Sequence, residues 1–492
     1  MIEFTAASIA AITHGRLAAT TDPELAVALH LTVTDSREAT PGSLYVAKRG
    51  EAADGHDFIP AAFAAGAVLA LAERETSSDD GGPFPAVLVE DAVLAMGALA
   101  AEAVRRIRAA GDLTVLAITG SAGKTTTKDL LAGILSPLGP TVAPRGSYNG
   151  EVGVPLTVFS ASLDTRYLII EMGATKVGQI EYLASLVKPD IGVVLGVGSA
   201  HAGEFGGVEN IAQAKGELVA ALDPATGTAV LNYDDARVRA MAGRTTARTV
   251  FFGNAEAGGP AVVQAENATT NAAGHPEFVL RFAGTGEAFP VTSGLLGLHH
   301  MPNLLAAAAA AQLAGAPAEH IAASLNSLKA ASRWRMERME RADGVTVIND
   351  AYNANPESMR GALRTLAELG SIANRRTWAV LGEMLELGDD SVLEHDAVGR
   401  VAVRLNISRL VVVGQAARAM HVGAVMEGSW GDESVFVADA DAAYELLARE
   451  LVPGDIVLVK SSNGAGLRFL GDRIALPETG PDSTTGERTM TR

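Results

Sequence analysis

The segment Val115-Leu-Ala-Ile-Thr-Gly-Ser-Ala-Gly-Lys-Thr-Thr-Thr-Lys128 constrains this chain more than any other part of it. An apolar run passes directly into two glycines and a lysine, and a helix-forming run, Asp129-Leu-Leu-Ala-Gly-Ile-Leu135, follows at once. Strand, glycine turn and helix in that succession are what a phosphate-binding loop requires. Glycines let backbone N–H groups turn inward, the helix N-terminus adds its dipole, and the lysine reaches the terminal phosphates of a nucleotide. Gly120, Ser121, Ala122, Gly123, Lys124, Thr125 and Thr126 are therefore the candidate ATP loop, with the Thr125 hydroxyl placed to ligate Mg²⁺. The competing reading, a glycine turn with a chance lysine, is weakened by the strand and helix on either side. The spacing is G-x-x-G-K-T, shorter than the common G-x-x-x-x-G-K.

Such a loop belongs to a parallel sheet, and the rest of the chain agrees. Short apolar or β-branched runs (Tyr167–Glu171, Ile191–Val197, Thr228–Asn232) alternate with helix-like segments. The alternation resumes later with Val345–Asn349, Thr377–Gly382, Leu410–Gly414 and Asp455–Lys460. Alternation of this kind predicts α/β architecture with helices covering the sheets. Gly253–Pro290 is more mixed and is expected to hold a small antiparallel excursion. Thr76–Pro85, rich in turn formers, is expected to be a surface loop closing an N-terminal domain before a helix over Ala92–Ala110. A basic stretch near Ala330–Arg338 marks a second boundary, and the tail after Leu476 has almost nothing to bury. The expected domains are 1–90, 91–331 and 332–476, with 477–492 a disordered tail.

In an open α/β sheet, ligands sit beyond the carboxyl ends of the strands. Glu171 ends one strand and is a hard oxygen donor suited to Mg²⁺. His201 lies just beyond the next, in Gly198-Ser-Ala-His-Ala-Gly-Glu-Phe-Gly206. Lys215 follows on the helical run Asn210-Ile-Ala-Gln-Ala-Lys-Gly-Glu217. Taken alone, Glu171 reads equally well as a solvated strand-end acid, and Lys215 as a surface lysine.

Composition excludes some classes. The 492 residues carry a net charge of −18, which is no footprint for a nucleic-acid backbone, and no nucleic-acid partner is expected. There is no cysteine, so thiol catalysis, disulfides and thiolate metal sites are out. The first residues, MIEFTAASIA, lack the pattern of a signal peptide. The apolar stretch Leu304–Ala311 falls short of the roughly 20 residues a bilayer span needs. A cytoplasmic protein without membrane insertion is the expectation.

Together, Thr119–Thr127, Glu171-Met-Gly173, the His201 loop and Ala214-Lys-Gly-Glu217 resemble the motifs of the Mur ligase family, and the resemblance covers nearly the whole chain. Gly297-Leu-His-His-Met-Pro-Asn303 is similar to the family's G-R-H-N-x-x-N, with Leu298 in place of arginine. Gly146-Ser-Tyr-Asn-Gly-Glu-Val-Gly-Val-Pro155 keeps Asn149 but has Ser147 and Gly150 where the family has asparagines. Lys460-Ser-Ser-Asn463 stands where the family carries K-G-S-R. Asp35-Ser-Arg37, Pro41–Val46 and Asp54-Gly-His-Asp-Phe58 look like the family's UDP-sugar-binding domain. Val347–Met359, with its Tyr-Asn-Ala-Asn-Pro core, and Leu381–Gly388 followed by His395 resemble the branch that adds D-alanyl-D-alanine. The diamino-acid-adding branch is the alternative, but its D-N-P-R tetrapeptide is absent. A folylpolyglutamate synthetase would lack the N-terminal domain, and a scaffold that kept only the fold would need none of Lys124, Glu171, His201 and Lys215.

The resemblance implies an α/β chain of three domains: an N-terminal UDP-substrate domain, a central P-loop ATPase-like parallel sheet and a C-terminal Rossmann-like domain. It implies an ATP- and Mg²⁺-dependent ligase joining D-alanyl-D-alanine to a UDP-N-acetylmuramoyl-tripeptide through an acyl phosphate, acting as a monomer. Lys124, His201 and Lys215 would be catalytic, Lys215 as a carbamate formed with CO₂. Thr125 and Glu171 would hold one Mg²⁺, and His201 and Lys215 a second. Asn303 would read the adenine, with Arg335 and Asp350 contacting ATP from the third domain. Ser36, Arg37, Asn149, Tyr352, Asn353 and Asn355 would bind the other substrates.

Overall fold

The apolar runs pair into parallel sheets in a computed structural model that describes residues 2–50, 53–77, 81–198, 202–254, 260–428 and 431–476. The expected tail, 477–492, and His201 lie outside the described residues. The chain forms two compact units. The first comprises residues up to Asn271 and His275–Ser332; the second comprises Ala272–Gly274 and the chain from Arg333 onward.

The first unit contains a nine-stranded sheet with the phosphate-loop strand Thr114–Thr119 between Ile191–Val194 and Tyr167–Glu171. Pairing is parallel from Thr141–Val142 across to Ala261–Thr270. The expected antiparallel excursion is present as Ala261–Thr270, Pro276–Phe282 and Glu287–Thr292. The same unit carries a five-stranded sheet of short strands, among them Leu44–Val46, Leu69–Ala72 and Ala86–Leu88. The segment expected to be a surface loop, Thr76–Pro85, connects Leu69–Ala72 to Ala86–Leu88, neighbours in one sheet.

Helix Ala92–Ala110 starts where Asp91 accepts the N–H groups of Val93 and Leu94, and stops at Gly111. It buries Ala95, Met96, Leu99, Ala103 and Ile107, spaced to form one stripe. That stripe packs in one core with Leu44, Leu69 and Val87 of the smaller sheet and with Val115, Leu168 and Ile170 of the larger. Burying a side chain such as Leu99 or Ile107 is worth about 1.5–3 kcal/mol, so this helix mortars the two sheets together. Helix Met301–Leu313 is buried on every side from Asn303 to Ala311, against the phosphate-loop helix Lys124–Leu135 and the sheet.

The second unit is built on a six-stranded sheet in the order Glu337–Glu340, Thr346–Asn349, Ile456–Lys460, Thr377–Leu381, Arg409–Val413, Ser434–Val437. All pairs are parallel except the first. The return of the last parallel strand to a place between the first and second opens a crevice at their carboxyl ends.

Candidate active site

The phosphate loop is shaped by what packs behind it. Gly123 adopts φ +83°, the left-handed region, and caps helix Lys124–Leu135. A Cβ there would also collide with the amide of Asn303, so glycine is required twice over. Asn303 is buried at the start of helix Met301–Leu313, with its Nδ2 3.1 Å from His300 Nδ1. Ser121 is pinned to the end of the neighbouring strand. Its N–H donates to Gly196 O at 3.0 Å, and its Oγ accepts from Gly198 N–H at 2.9 Å. Ala122 at the tip is exposed, and Lys124 Nζ folds back on Gly120 O at 2.8 Å.

Directly beneath lies a buried polar network. Thr125, 2% exposed, donates from Oγ1 to Glu171 Oε2 at 2.9 Å, and Asn149 Nδ2 donates to Glu171 Oε1 at 2.8 Å. Glu171 is 1% exposed, so the carboxylate is held by neutral donors in a protein interior. Ser147 Oγ stands 3.1 Å from Thr125 Oγ1, which brings a residue that departs from the family pattern into the same network. The segment bearing Ser147 and Asn149 is held by Lys128, whose Nζ donates to Pro144 O at 3.0 Å and pairs with Asp129 at 2.6 Å. These groups are hard oxygens at the foot of a phosphate loop, the donor chemistry that Mg²⁺ takes. Among the described residues no three His, Cys, Asp or Glu side chains cluster as a metal cage. Mg²⁺ with a nucleotide needs none, since phosphates and water complete its shell.

Lys215 is far from the surface lysine its sequence context suggested. Its side chain is buried on helix Val208–Ala220, and its ammonium is pushed down to about 7, first by burial and then by the nearby charge of Lys124. Two residues on, Glu217 accepts the N–H groups of Gly178 at 2.6 Å and Glu181 at 3.1 Å. It thereby fixes this helix to helix Gln179–Val187, which follows the Glu171 strand.

Near the N-terminus, Asp35 caps the turn Ser36–Glu38 and binds the Arg37 guanidinium at 2.6 Å. Arg37 is exposed and Ser36 partly so. Nearby His56 is buried. Its Nε2 accepts the Glu73 N–H at 2.8 Å, so the ring proton sits on Nδ1 and faces Asp54.

In the second unit, Asp350 is held by its own unit. Its Oδ2 pairs with the buried Lys460 at 2.6 Å and its Oδ1 accepts from Met336 N–H at 3.0 Å. Arg335 lies over the Tyr352 ring at 4.4 Å. It is flanked by Trp334 at φ +59° and Met336 at φ +51°, angles that side-chain-bearing residues rarely adopt. Trp334 is anchored through Nε1 to Asp472 at 3.1 Å and through its N–H to Glu337 at 2.9 Å. Asn353 is exposed, and Lys460 Nζ also donates to its carbonyl at 2.9 Å. Asn355 is the N-cap of helix Pro356–Ala373 in a capping box with Ser358, so its side-chain oxygen is engaged locally. His395, fully buried, accepts the Met384 N–H at Nε2, and burial lowers its pKa.

Family models match three consecutive stretches: the Mur ligase family catalytic domain over residues 28–108, the Mur ligase middle domain over 118–311, and the Mur ligase glutamate ligase domain over 334–463. The chain belongs to the Mur ligase family. A UDP-N-acetylmuramoyl-tripeptide–D-alanyl-D-alanine ligase from Mycobacterium tuberculosis is 46% identical, over 97% of this chain and 99% of the relative. Among solved structures, MurF from Acinetobacter baumannii superposes with a TM-score of 0.83 at 30% identity, covering 96% of this chain and 99% of its own. MurF ligase from Thermotoga maritima, crystallised in complex with ADP, gives 0.76 at 27% identity over 91% and 98%.

In this Mur ligase the structure brings together Gly120–Thr126, Asn149, Glu171 and Asn303 around one loop, with Lys215 close enough for Lys124 to depress it. Arg335, Asp350 and Tyr352 form a second group in the other unit. Sequence reasoning missed Lys128, Glu217 and Lys460 as organisers. Each lies inside a quoted motif, but nothing in a motif tells a contact with ligand from a contact that holds the loop.

Proposed function

We propose that this chain joins D-alanyl-D-alanine to the terminal carboxylate of a UDP-N-acetylmuramoyl-tripeptide, using ATP. The reading is supported by likeness to such ligases over almost the whole chain. The observation that carries the chemistry is the buried Thr125–Glu171–Asn149 network under the phosphate loop. ATP phosphorylates the tripeptide carboxylate, giving an acyl phosphate and ADP. The dipeptide amine then attacks the carbonyl carbon, loses a proton, and the tetrahedral adduct expels inorganic phosphate.

Most of this barrier is charge repulsion and misalignment. Lys124 and the loop N–H groups bind the β- and γ-phosphates, and Asn303, which supports the loop from behind, would read the adenine. Mg²⁺, when bound, neutralises charge between the meeting anions. Thr125 and Glu171 would hold one ion, with Ser147 at hand. Lys215, as a carbamate, and His201 would hold a second. A lysine at about 7 carries a substantial free-amine fraction near neutrality, and only the free amine adds to CO₂, forming R–NH–COO⁻ and releasing a proton. Arg335 and Asp350 would contact ATP, as the family resemblance implies. Tyr352, Asn353 and Asn355 shape the dipeptide side, Asn149 the tripeptide side, and Ser36 and Arg37 the UDP-sugar. Among the described residues no helix is long and apolar enough to cross a membrane, and a cytoplasmic monomer is part of the proposal.

The test is phosphate release from ATP with UDP-muramoyl tripeptides, with and without D-alanyl-D-alanine. Release that needs both, with a UDP-pentapeptide by mass spectrometry, is the expected result. Turnover only with a shorter UDP-peptide and a single amino acid would overturn it.

A further inference from the structure

The acceptor dipeptide carries its nucleophilic amine at one end and a free carboxylate at the other. Bound in a partly dehydrated crevice, that carboxylate needs a fixed cation. We propose that Arg468 receives it, an assignment that rests on the ligation reading above.

The crevice lies at the carboxyl ends of Thr346–Asn349, Ile456–Lys460 and Thr377–Leu381, and Ser462 ties the three following loops together. Its N–H donates to Glu383 O at 2.9 Å, its Oγ accepts from Leu385 N–H at 3.0 Å, and the same Oγ lies 3.4 Å from Ala354 O. These loops belong to the segments that resemble the dipeptide-adding branch. Several cations surround the crevice, and most are already committed. Lys460 is buried against Asp350, Arg333 pairs with Asp472 at 3.0 Å, and Arg335 lies over Tyr352.

Arg468 differs from these. Among the described residues it pairs with no carboxylate. Its Nη1 donates to the backbone oxygen of Asn463 at 2.8 Å and to that residue's side-chain oxygen. Its guanidinium lies over Phe469 at 4.4 Å and Trp334 at 5.3 Å, and its Nε is buried without an acceptor. The guanidinium is therefore held in place by stacking and by one neighbour, while its charge is uncompensated and a donor is unsatisfied. A planar fork of this kind matches a carboxylate, which would neutralise it and offer acceptors. The position also accounts for a departure in the sequence. Asn463 stands where the family pattern has arginine, and Arg468, the second residue of helix Leu467–Ala475, returns a guanidinium to that loop.

The test compares D-alanyl-D-alanine with its C-terminal carboxamide, at saturating ATP and UDP-tripeptide, in the wild type, Arg468→Gln and Arg468→Lys. The wild type should prefer the carboxylate by about 10- to 100-fold in kcat/KM, the range of a charge-assisted hydrogen-bonded contact. Arg468→Gln should raise the dipeptide KM by a similar factor and bring the preference close to unity, leaving KM for ATP and UDP-tripeptide unchanged. Arg468→Lys should restore part of the preference. A Gln variant that keeps the full carboxylate preference, or one whose defect lies in KM for ATP, overturns the assignment. A wild type that forms no UDP-pentapeptide from D-alanyl-D-alanine overturns the ligation reading itself, and this assignment with it.

Discussion

Lys215 in the first unit and Lys460 in the second are both buried beside a candidate site, and the two are built for opposite ends. Lys460 in the second unit is 2% exposed and Lys215 in the first is 3% exposed, so solvent does not distinguish them. Lys460 has a carboxylate at 2.6 Å and a carbonyl at 2.9 Å, which satisfies it in its charged form. The charge that acts on Lys215 is another ammonium, that of Lys124, and it adds to the burial that already disfavours the proton. The nearest charge, rather than depth, decides whether a buried lysine is a strut or a reagent.

The largest expected effect is on the strut. Asp350→Ala leaves Lys460 buried and unpaired, and should destabilise the second unit by about 3–5 kcal/mol. Trp334, Trp378 and Trp430 are the chain's 3 tryptophans and all follow Ser332, so the denaturant midpoint of tryptophan fluorescence reports that unit alone. An unchanged midpoint would dissolve the contrast. Lys215→Met should do the reverse: kcat down by about 10²–10³-fold, some 2.7–4 kcal/mol of barrier, with no loss of stability in thermal melts.

Next comes pH. The Lys215 pKa is lower in the folded chain than its ordinary value of 10.5, so between about 7 and 10 the unfolded chain binds a proton that the folded one has released. Its contribution therefore favours folding increasingly as pH rises through that window, and is absent below it. In CO₂-free buffer, wild type minus Lys215→Met should gain up to about 1.4 kcal/mol per pH unit there. A flat difference would mean that Lys215 keeps its proton. The smallest effect is expected at Ser147. Ser147→Ala removes one hydroxyl from the Thr125 network and should weaken Mn²⁺ binding, measured by EPR with ADP, by about 0.5–1.5 kcal/mol. Ser147→Asn, which restores the family residue, should lose less.

Much of this fold was legible because period and punctuation agree locally. Helix Ala92–Ala110 and strands Tyr167–Glu171 and Thr228–Asn232 have the bounds that apolar spacing gives them. Strand Ile191–Val194 stops short of the expected Val197, since Leu195 and Gly196 turn to hold the phosphate loop instead of continuing the ladder. The loop Gly120–Thr126 was legible because its conformation is fixed by its own glycines. What could not be read is long-range pairing. Nothing near Asp350 announces Lys460, 110 positions away, and nothing near Thr125 announces that Ser147 will reach it. Burial of Lys215 depends in the same way on a whole sheet and helix pair.

Trp334 and Met336 hold left-handed angles that cost about 1–2 kcal/mol per residue, and Asp472, Glu337 and Asp350 help to keep them there. Those acids come together only when strand and helix partners distant in sequence have docked. The posture of Arg335 over Tyr352 therefore rests on contacts distant in sequence, and a substitution that loosens those acids reaches the arginine without touching it.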